Sequence, residues 1–404
     1  MSQNGWRVEP VETFEAWAAL AGRWNGLLDA SRSRSVFLTF EWLSAWAETY
    51  LGPRRRLWIL AVYDGDELAG LAPWYLERGR AFPVRYVKFL GSPEAGADHL
   101  DVYDGDELAG LAPWYLERGR AFPVRYVKFL GSPEAGADHL DVFAKPGSEG
   151  EVAEALAAFL RRSKAWDALW LSQIRADSLF LFHWSRVGDE TGGRTDTTIT
   201  THAPCLRLPG SVEDLEALLT PKRRKQFRQH SQRLAEIPGF TISQARDGEI
   251  SEKLEAFFKL YGGRGLSLCD RPDILLGFLK RFQAKALGKG WFRMDWYTVG
   301  DRLVAGHVHF WYGRTLSGYL IAVDRSFQPT VSLGKLIIWR CLLGSVRAGL
   351  EVYDFLRGRE TFKFHFAADV RALCLMVSGR TRLIHHGLVL ARALKGMTRV
   401  VRGD

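Results

Sequence analysis

The chain has 404 residues, 47% of them hydrophobic and 25% charged, with a formal net charge of +9. That length exceeds what one hydrophobic core usually serves, so two domains are expected, and the composition is globular rather than disordered or fibrous. No uncharged apolar run approaches the roughly 18 residues of a membrane span, and the opening MSQNGWRVEP lacks a basic-then-apolar leader pattern. Cys205, Cys269, Cys341 and Cys374 form no CxxC pair and read as buried or incidental thiols of a reducing compartment, neither staples nor zinc ligands. A cytoplasmic location is expected, and the positive excess favours anionic partners without naming one.

In chain order, Val11–Asp29 and Glu41–Tyr50 read as amphipathic helices rich in Trp and Leu, and Leu57–Val62 as a strand. Val62–Asp101 then recurs without a change as Val102–Asp141. Natural repeat arrays diverge and need about three units to share a core, so two identical copies read as a recent tandem duplication or a sequence-assembly error laid over the fold. Each copy carries a Tyr-Asp-Gly-Asp hairpin turn followed by two β-rich runs, 68–76 and 85–90 in the first, where 57–62 is the upstream partner of the first hairpin. One copy is surplus, expected to add strands at a sheet edge or to be extruded. Helix 151–162, strand 168–173, helix 178–187 and strand 197–208 follow. This alternation predicts an α/β class with mixed α+β sheets. Pro209-Gly210 is the expected boundary between residues 1–207 and 208–379, with a basic tail over 380–404.

The second half opens on Ser211-Val-Glu-Asp, a capped helix start, and Thr220-Pro221 restarts the helix with Pro at its first position. Helices 250–261 and 273–286 precede three strands, 292–299, 303–312 and 315–323, separated by Gly300-Asp301 and Gly313-Arg314. A helix over 333–348, a strand over 351–356 and a run over 361–366 complete the half.

The stretch GDRLVAGHVHFWYGRTLSGYLIAVD, followed by VSLGKLIIWRCLLGSVRAGLEVYDFLRGRETFKFHF, resembles the GNAT-related family that includes the cellulose-biosynthesis protein CelD. The Fem peptidyltransferases are more distant relatives. Asp324 after the third strand, the Ser-x-Gly-Lys helix start and Tyr-Asp-Phe-x-x-Gly…Phe-Lys carry the resemblance, with the basic run 221–233 and the early VFLTFEWLSAW in support. It implies two tandem GNAT-like halves, the first degenerate, and acyl-CoA as the donor for N- or O-acyl transfer in cell-envelope or exopolysaccharide metabolism.

Ser332, Leu333, Gly334 and Lys335 start a helix whose free N–H groups suit an anion, and in GNAT enzymes this location holds the pyrophosphate of acyl-CoA. An ordinary capped helix is the bland alternative. His307 and His309 share one strand face and are candidate bases, while the acidic base many GNATs carry on this strand is missing. Their spacing admits a metal pair, but no third ligand is apparent and no metal is expected. Asp354 and Lys363 are candidates to orient a base or acceptor and to stabilise an oxyanion; a structural ion pair fixing the turn is the equal alternative. Lys222, Arg223, Arg224 and Arg228 lie on a helix whose stripe is Phe227, Leu234 and Ile237, and they suit a lipid- or nucleotide-linked saccharide acceptor or the acceptor arm of a tRNA, against a merely solvated face. Residues 380–402 pack as a closing helix or lie on an anionic membrane surface. A Fem-like aminoacyl-tRNA transferase and a non-catalytic binding protein on the same scaffold stand as alternatives to the acyl-CoA enzyme.

Overall fold

Period-two patterning and two glycine turns build the centre of the second half. Strands Phe292–Val299, Arg302–Tyr312 and Thr315–Val323 form an antiparallel meander, turned by Gly300 at φ +54° and Gly313 at φ +56°, where tight hairpins need left-handed backbone. Helix Leu333–Arg347 crosses over to Val352–Asp354, which pairs parallel with the start of the third meander strand. This is the order expected from the sequence. The structure, a computed structural model, describes residues 5–78, 85–89, 114–118, 124–131, 134–190, 195–261, 271–324, 326–327, 333–358, 363–366, 369–382, 384–389 and 392.

The meander belongs to a sheet of eleven strands that runs through both halves. From one edge these are Phe240–Gln244, Phe292–Val299, Arg302–Tyr312, Thr315–Val323, Val352–Asp354 and Thr195–Arg207. The order continues with Asp369–Gly379, Ala168–Arg175, Arg125–Phe129, Trp74–Arg78 and Arg55–Leu57. Trp6–Val11, Ile59–Asp64, Glu67–Ala72 and Phe143–Ala144 make a second sheet. The α/β class with mixed sheets is thus the observed one. Thr195–Arg207 precedes Pro209-Gly210, yet it lies between two strands that follow it, Val352–Asp354 and Asp369–Gly379. Hydrogen bonding is therefore continuous across the expected boundary.

Several elements differ from the sequence reading, each for a local reason. The expected helix 11–29 is a strand, Trp6–Val11, and two helices, Phe14–Ala18 and Ala21–Ala30, the first capped by the Thr13 hydroxyl. The run 68–76 is split at Pro73, which has no N–H for a ladder; Glu67–Ala72 stays in the smaller sheet and Trp74–Arg78 enters the larger one. Within 361–366 the described residues form one 3-10 turn, Lys363–His365, and no strand. Asp369–Gly379, which the sequence reading did not assign, is a strand of the larger sheet.

One core spans the halves. Helix Phe40–Tyr50 inserts Trp42 edge-on against Phe278, Phe282 and Phe310, at ring-centroid distances of 4.7, 4.9 and 5.3 Å. Helices Ile250–Tyr261 and Pro272–Lys285 cover this face of the meander, and Leu333–Arg347 and Pro221–Ala235 cover the other.

The repeat is used in an economical way. Trp74–Arg78 of the first copy pairs with Arg125–Phe129 of the second, in the register Trp74↔Phe129 to Arg78↔Arg125. Arg85–Phe89 of the first copy pairs with Trp114–Arg118 of the second, in the equivalent register Phe89↔Trp114 to Arg85↔Arg118. Both are the same hairpin pairing with the copies exchanged. The second pair forms a separate two-stranded sheet. The larger sheet thus takes the first half of one copy and the second half of the other, the equivalent of a single copy.

Candidate functional site

A loop from the second copy, Asp138-His139-Leu140-Asp141, docks on the end of strand Val352–Asp354. His139 Nε2 lies 2.8 Å from Asp354 Oδ2, and Arg371 Nη1 lies 3.2 Å from the same oxygen. Arg357 donates its backbone N–H to Asp138 Oδ2 at 2.6 Å, so the loop is held on both sides of the pair. His139 Nδ1 is buried without a hydrogen-bond partner. In the tautomer that donates Nε2–H to Asp354, Nδ1 is the nitrogen that carries no proton. Burial alone would raise the Asp354 carboxyl; His139, Arg371 and the Leu356 N–H more than offset it and hold it below its ordinary range.

Backbone strain concentrates here. Among the described residues, three non-glycines have positive φ: His139 at +55°, Gln173 at +64° and Leu356 at +55°. Leu140 N–H donates to the Gln173 carbonyl, and Leu356 N–H donates to Asp354 Oδ1. All three therefore adjoin the His139–Asp354 pair. Such conformations cost on the order of 1–3 kcal/mol each and persist where the surroundings over-determine them, commonly at functional sites.

The pair opens on a cavity of about 240 Å³ lined by Arg32, Arg34, Arg175 and Arg371, by Thr315 and Ser317, and by Asp141. Asp141 accepts hydrogen bonds from Ser178 Oγ, Ser33 Oγ and Val142 N–H, yet burial dominates and its carboxyl is pushed up to about 6. Ser317↔Asp354 is the last register pair between the parallel strands Thr315–Val323 and Val352–Asp354. The third meander strand also carries an extra residue near Tyr319, since Val308 pairs with Leu320 but His309 with Gly318. A bulge beside a parting pair of parallel strands is a common setting for a binding site.

The residues singled out in the sequence fall into four places. Asp354 is in the cavity. Lys363 is buried beneath the turn that follows, its Nζ donating to the carbonyls of Arg357 at 2.7 Å and Leu356 at 3.3 Å. At the helix start, Ser332 lies outside the described residues and Leu333 is packed in the core with Leu336 and Ile337. A Cβ on Gly334 would meet nothing within 4 Å, so its backbone is open to close approach. His365 sits beside Arg223 and Lys335; desolvation first, and then these two cations, lower its pKa. Arg223 also donates to the His365 carbonyl at 3.3 Å, which brings the basic helix to the helix start. Arg228 is paired with Glu216 at 2.9 Å, Lys222 is exposed and Arg224 half-buried.

His307 and His309 are elsewhere, buried on the sheet face that carries helix Leu333–Arg347, with Asp295 and Cys341 beside them. Burial pushes both imidazoles down to about 3, so they are neutral near pH 7. The sequence reading missed His139, Asp141, Arg175 and Arg371. The signal available was Asp-His-x-Asp within four residues, but it sits in the repeat that reads as surplus.

Residues 221–364 match the family model of the acetyltransferase (GNAT) domain. Among solved structures, a conserved protein of unknown function from Bacteroides thetaiotaomicron VPI-5482 is similar at 10% identity and a TM-score of 0.52, over 92% of this chain and 100% of that one. The crystal structure of FemX is similar at 10% identity and a TM-score of 0.55, over 91% of this chain and 96% of that one. Among curated proteins no sequence matches it. Among the described residues no helix is long and apolar enough to cross a membrane. At 10% identity the likeness speaks for the fold, and it extends over both halves. The second half of this α/β chain thus carries the GNAT acyltransferase fold.

Proposed function

We propose that the protein is an acyl-CoA-dependent N- or O-acyltransferase of cell-envelope or exopolysaccharide metabolism, transferring directly from donor to acceptor in a ternary complex. The observation that carries this reading is the strained His139–Asp354 pair in a cavity at the parting of two parallel strands, both within the GNAT-matching segment and the second ending in Asp354 itself. The pathway rests on the resemblance to the CelD-like family.

In this reading Asp354 fixes the imidazole tautomer and stabilises the imidazolium, and His139 Nδ1 takes the proton of the acceptor amine or hydroxyl as it attacks the thioester carbonyl. The new C–N or C–O bond forms, the C–S bond breaks, and the proton passes on to the leaving thiolate. Arg32 and Arg34 on the cavity wall suit an acceptor carrying phosphate or carboxylate, such as a lipid- or nucleotide-linked saccharide, while Arg175 and Arg371 there are paired with Asp177 and Asp354. The donor pyrophosphate falls to the N–H groups at Gly334 and to Lys335, with Arg223 and His365 adjacent. In this assignment the role of base passes from His307 and His309 to His139, and Lys363 holds the turn behind Asp354.

A Fem-like aminoacyl-tRNA transferase is the second reading, favoured by the likeness to FemX and by the basic helix. Titration calorimetry with acetyl-CoA separates the two, repeated on Gly334→Glu. Wild type is expected to bind and the variant to lose binding, since a carboxylate would stand where the phosphates sit. No heat with wild type would remove the acyl-CoA reading, and a non-catalytic scaffold would bind without transferring the acyl group to any acceptor or releasing CoA thiol.

A further inference from the structure

Strands Phe292–Val299 and Arg302–Tyr312 pair antiparallel with Asp295 opposite His307, so these two side chains are cross-strand neighbours on one face. His309 follows two residues on, its ring centroid 4.7 Å from that of His307. Helix Leu333–Arg347 lies on this face and lowers Cys341 onto the pair, with Cys341 Sγ 3.2 Å from His307 Nδ1 and 3.4 Å from Asp295 Oδ2. One donor atom from each of the four residues lies within 4.8 Å of the others.

We propose that Asp295, His307, His309 and Cys341 hold one divalent transition-metal ion, zinc by their chemistry, as a structural site that ties the helix to the meander. Carboxylate oxygen, two imidazole nitrogens and a thiolate are a four-ligand set for tetrahedral zinc. Bonds of about 2.0–2.3 Å put such donors roughly 3.3–3.8 Å apart, and the cluster reaches that spacing with small side-chain movements. The burial of the cluster argues for an ion. His307 is 0%, His309 3% and Cys341 7% exposed, while His307 Nε2 and His309 Nδ1 have no hydrogen-bond partner. Two buried imidazoles with unsatisfied nitrogens beside a buried thiol are a costly arrangement, at about 1–3 kcal/mol per orphaned group. One ion bound to the cluster supplies the missing interactions.

All four positions are filled by protein, which leaves no open position for substrate and marks the site as structural. It is also on the far side of the sheet from the cavity: Tyr353 packs with the helix face, and its neighbour Asp354 lines the cavity. The inference is therefore independent of the acyltransferase reading. It also runs against two sequence expectations, that no third ligand is apparent beside the histidines and that Cys341 is no zinc ligand. Spacing along the chain could not bring Asp295 and Cys341 to the histidines; strand register and helix docking do.

The test is metal content by mass spectrometry on full-length protein purified without chelator, then after incubation with Zn²⁺ and desalting. About one zinc per chain is expected, retained through desalting. In a second arm the wild type is loaded with Co²⁺, where a thiolate-to-cobalt charge-transfer band and tetrahedral visible bands are expected. Cys341→Ser is expected to lose the charge-transfer band, and His309→Gln to lower metal content severalfold. Wild type that takes up neither ion would overturn the site and leave the four groups as a hydrogen-bonded chain. Metal that persists with an unchanged cobalt spectrum in both variants would overturn the ligand assignment. The wild-type arms need no variant to fold.

Discussion

At the scale of single residues, the strain at His139 is what links geometry to chemistry. A histidine at φ +55° is held there by neighbours on both sides: Arg357 N–H on Asp138 and the Gln173 carbonyl on Leu140. His139→Ala removes the proposed base but keeps the loop anchors, so it is expected to lower kcat by about 10²–10⁴-fold with little change in the KM for acyl-CoA. Asp354→Asn should produce a smaller kcat loss in the same direction. CoA-thiol release over a panel of acceptors reads both, and unchanged turnover in His139→Ala would remove it as base. Asp141 makes a separate prediction about stability. Its folded pKa, about 6, lies above the ordinary 3.8. Below about pH 4 the carboxyl is protonated in folded and unfolded chains alike. Between about 4 and 6 only the unfolded chain ionises, so stability falls as pH rises, by on the order of 3 kcal/mol in all, and levels off above 6. Relative to Asp141→Asn, wild type should therefore lose urea resistance across that window, and parallel curves would contradict the assignment.

At the scale of elements, the basic helix Pro221–Ala235 shows how few contacts fix a charged segment. Phe227 stacks on Trp339 at 5.4 Å and on Phe366 at 5.8 Å, and Leu234 is buried beside Tyr297 and Leu336. Phe227→Ala is expected to cost about 2–3 kcal/mol in chemical denaturation, whereas Lys222→Ala, on the exposed face, should stay within about 0.5 kcal/mol. Because Arg223 reaches His365 beside Lys335, loosening this helix should also weaken donor binding. The stripe of Phe227, Leu234 and Ile237 was legible in the sequence because helical periodicity is local. The meander was legible for the same reason, since Gly300 and Gly313 punctuate runs of period two. Asp369–Gly379 was not: its register partners are Thr195–Arg207 and Ala168–Arg175, far away along the chain, and DVRALCLMVSG has no turn signal to frame it. The candidate site was legible only at Asp354. His139 and Arg371 reach Asp354 through sheet order, which no spacing encodes.

At the scale of the whole molecule, the continuous eleven-stranded sheet makes the two halves depend on each other, and the repeat supplies two first-half strands of it and a loop that reaches the second half. Arg125–Phe129 sits between Trp74–Arg78 and Ala168–Arg175, and the loop after it carries the Asp138–Asp141 segment that meets Asp354. Every residue the fold takes from the second copy has an identical counterpart in the first. Removing any 40 consecutive residues within 62–141 therefore leaves one and the same sequence, with Gly79–Val84 connecting Trp74–Arg78 directly to Arg85–Phe89. The connection between the paired strands shrinks from 46 residues, 79–124, to six. Closing the shorter loop costs less chain entropy, by up to about 2 kcal/mol on a flexible-chain estimate, and self-pairing between Arg85–Phe89 and Trp114–Arg118 reduces that gain. The shortened chain is expected to keep its circular dichroism spectrum, its acetyl-CoA affinity and its metal content, and to resist urea as well as or better than the longer one. A loss of folding in the shortened chain would mean that the exchanged hairpin contributes to the core, and that the larger sheet needs more than one copy's worth of the repeat.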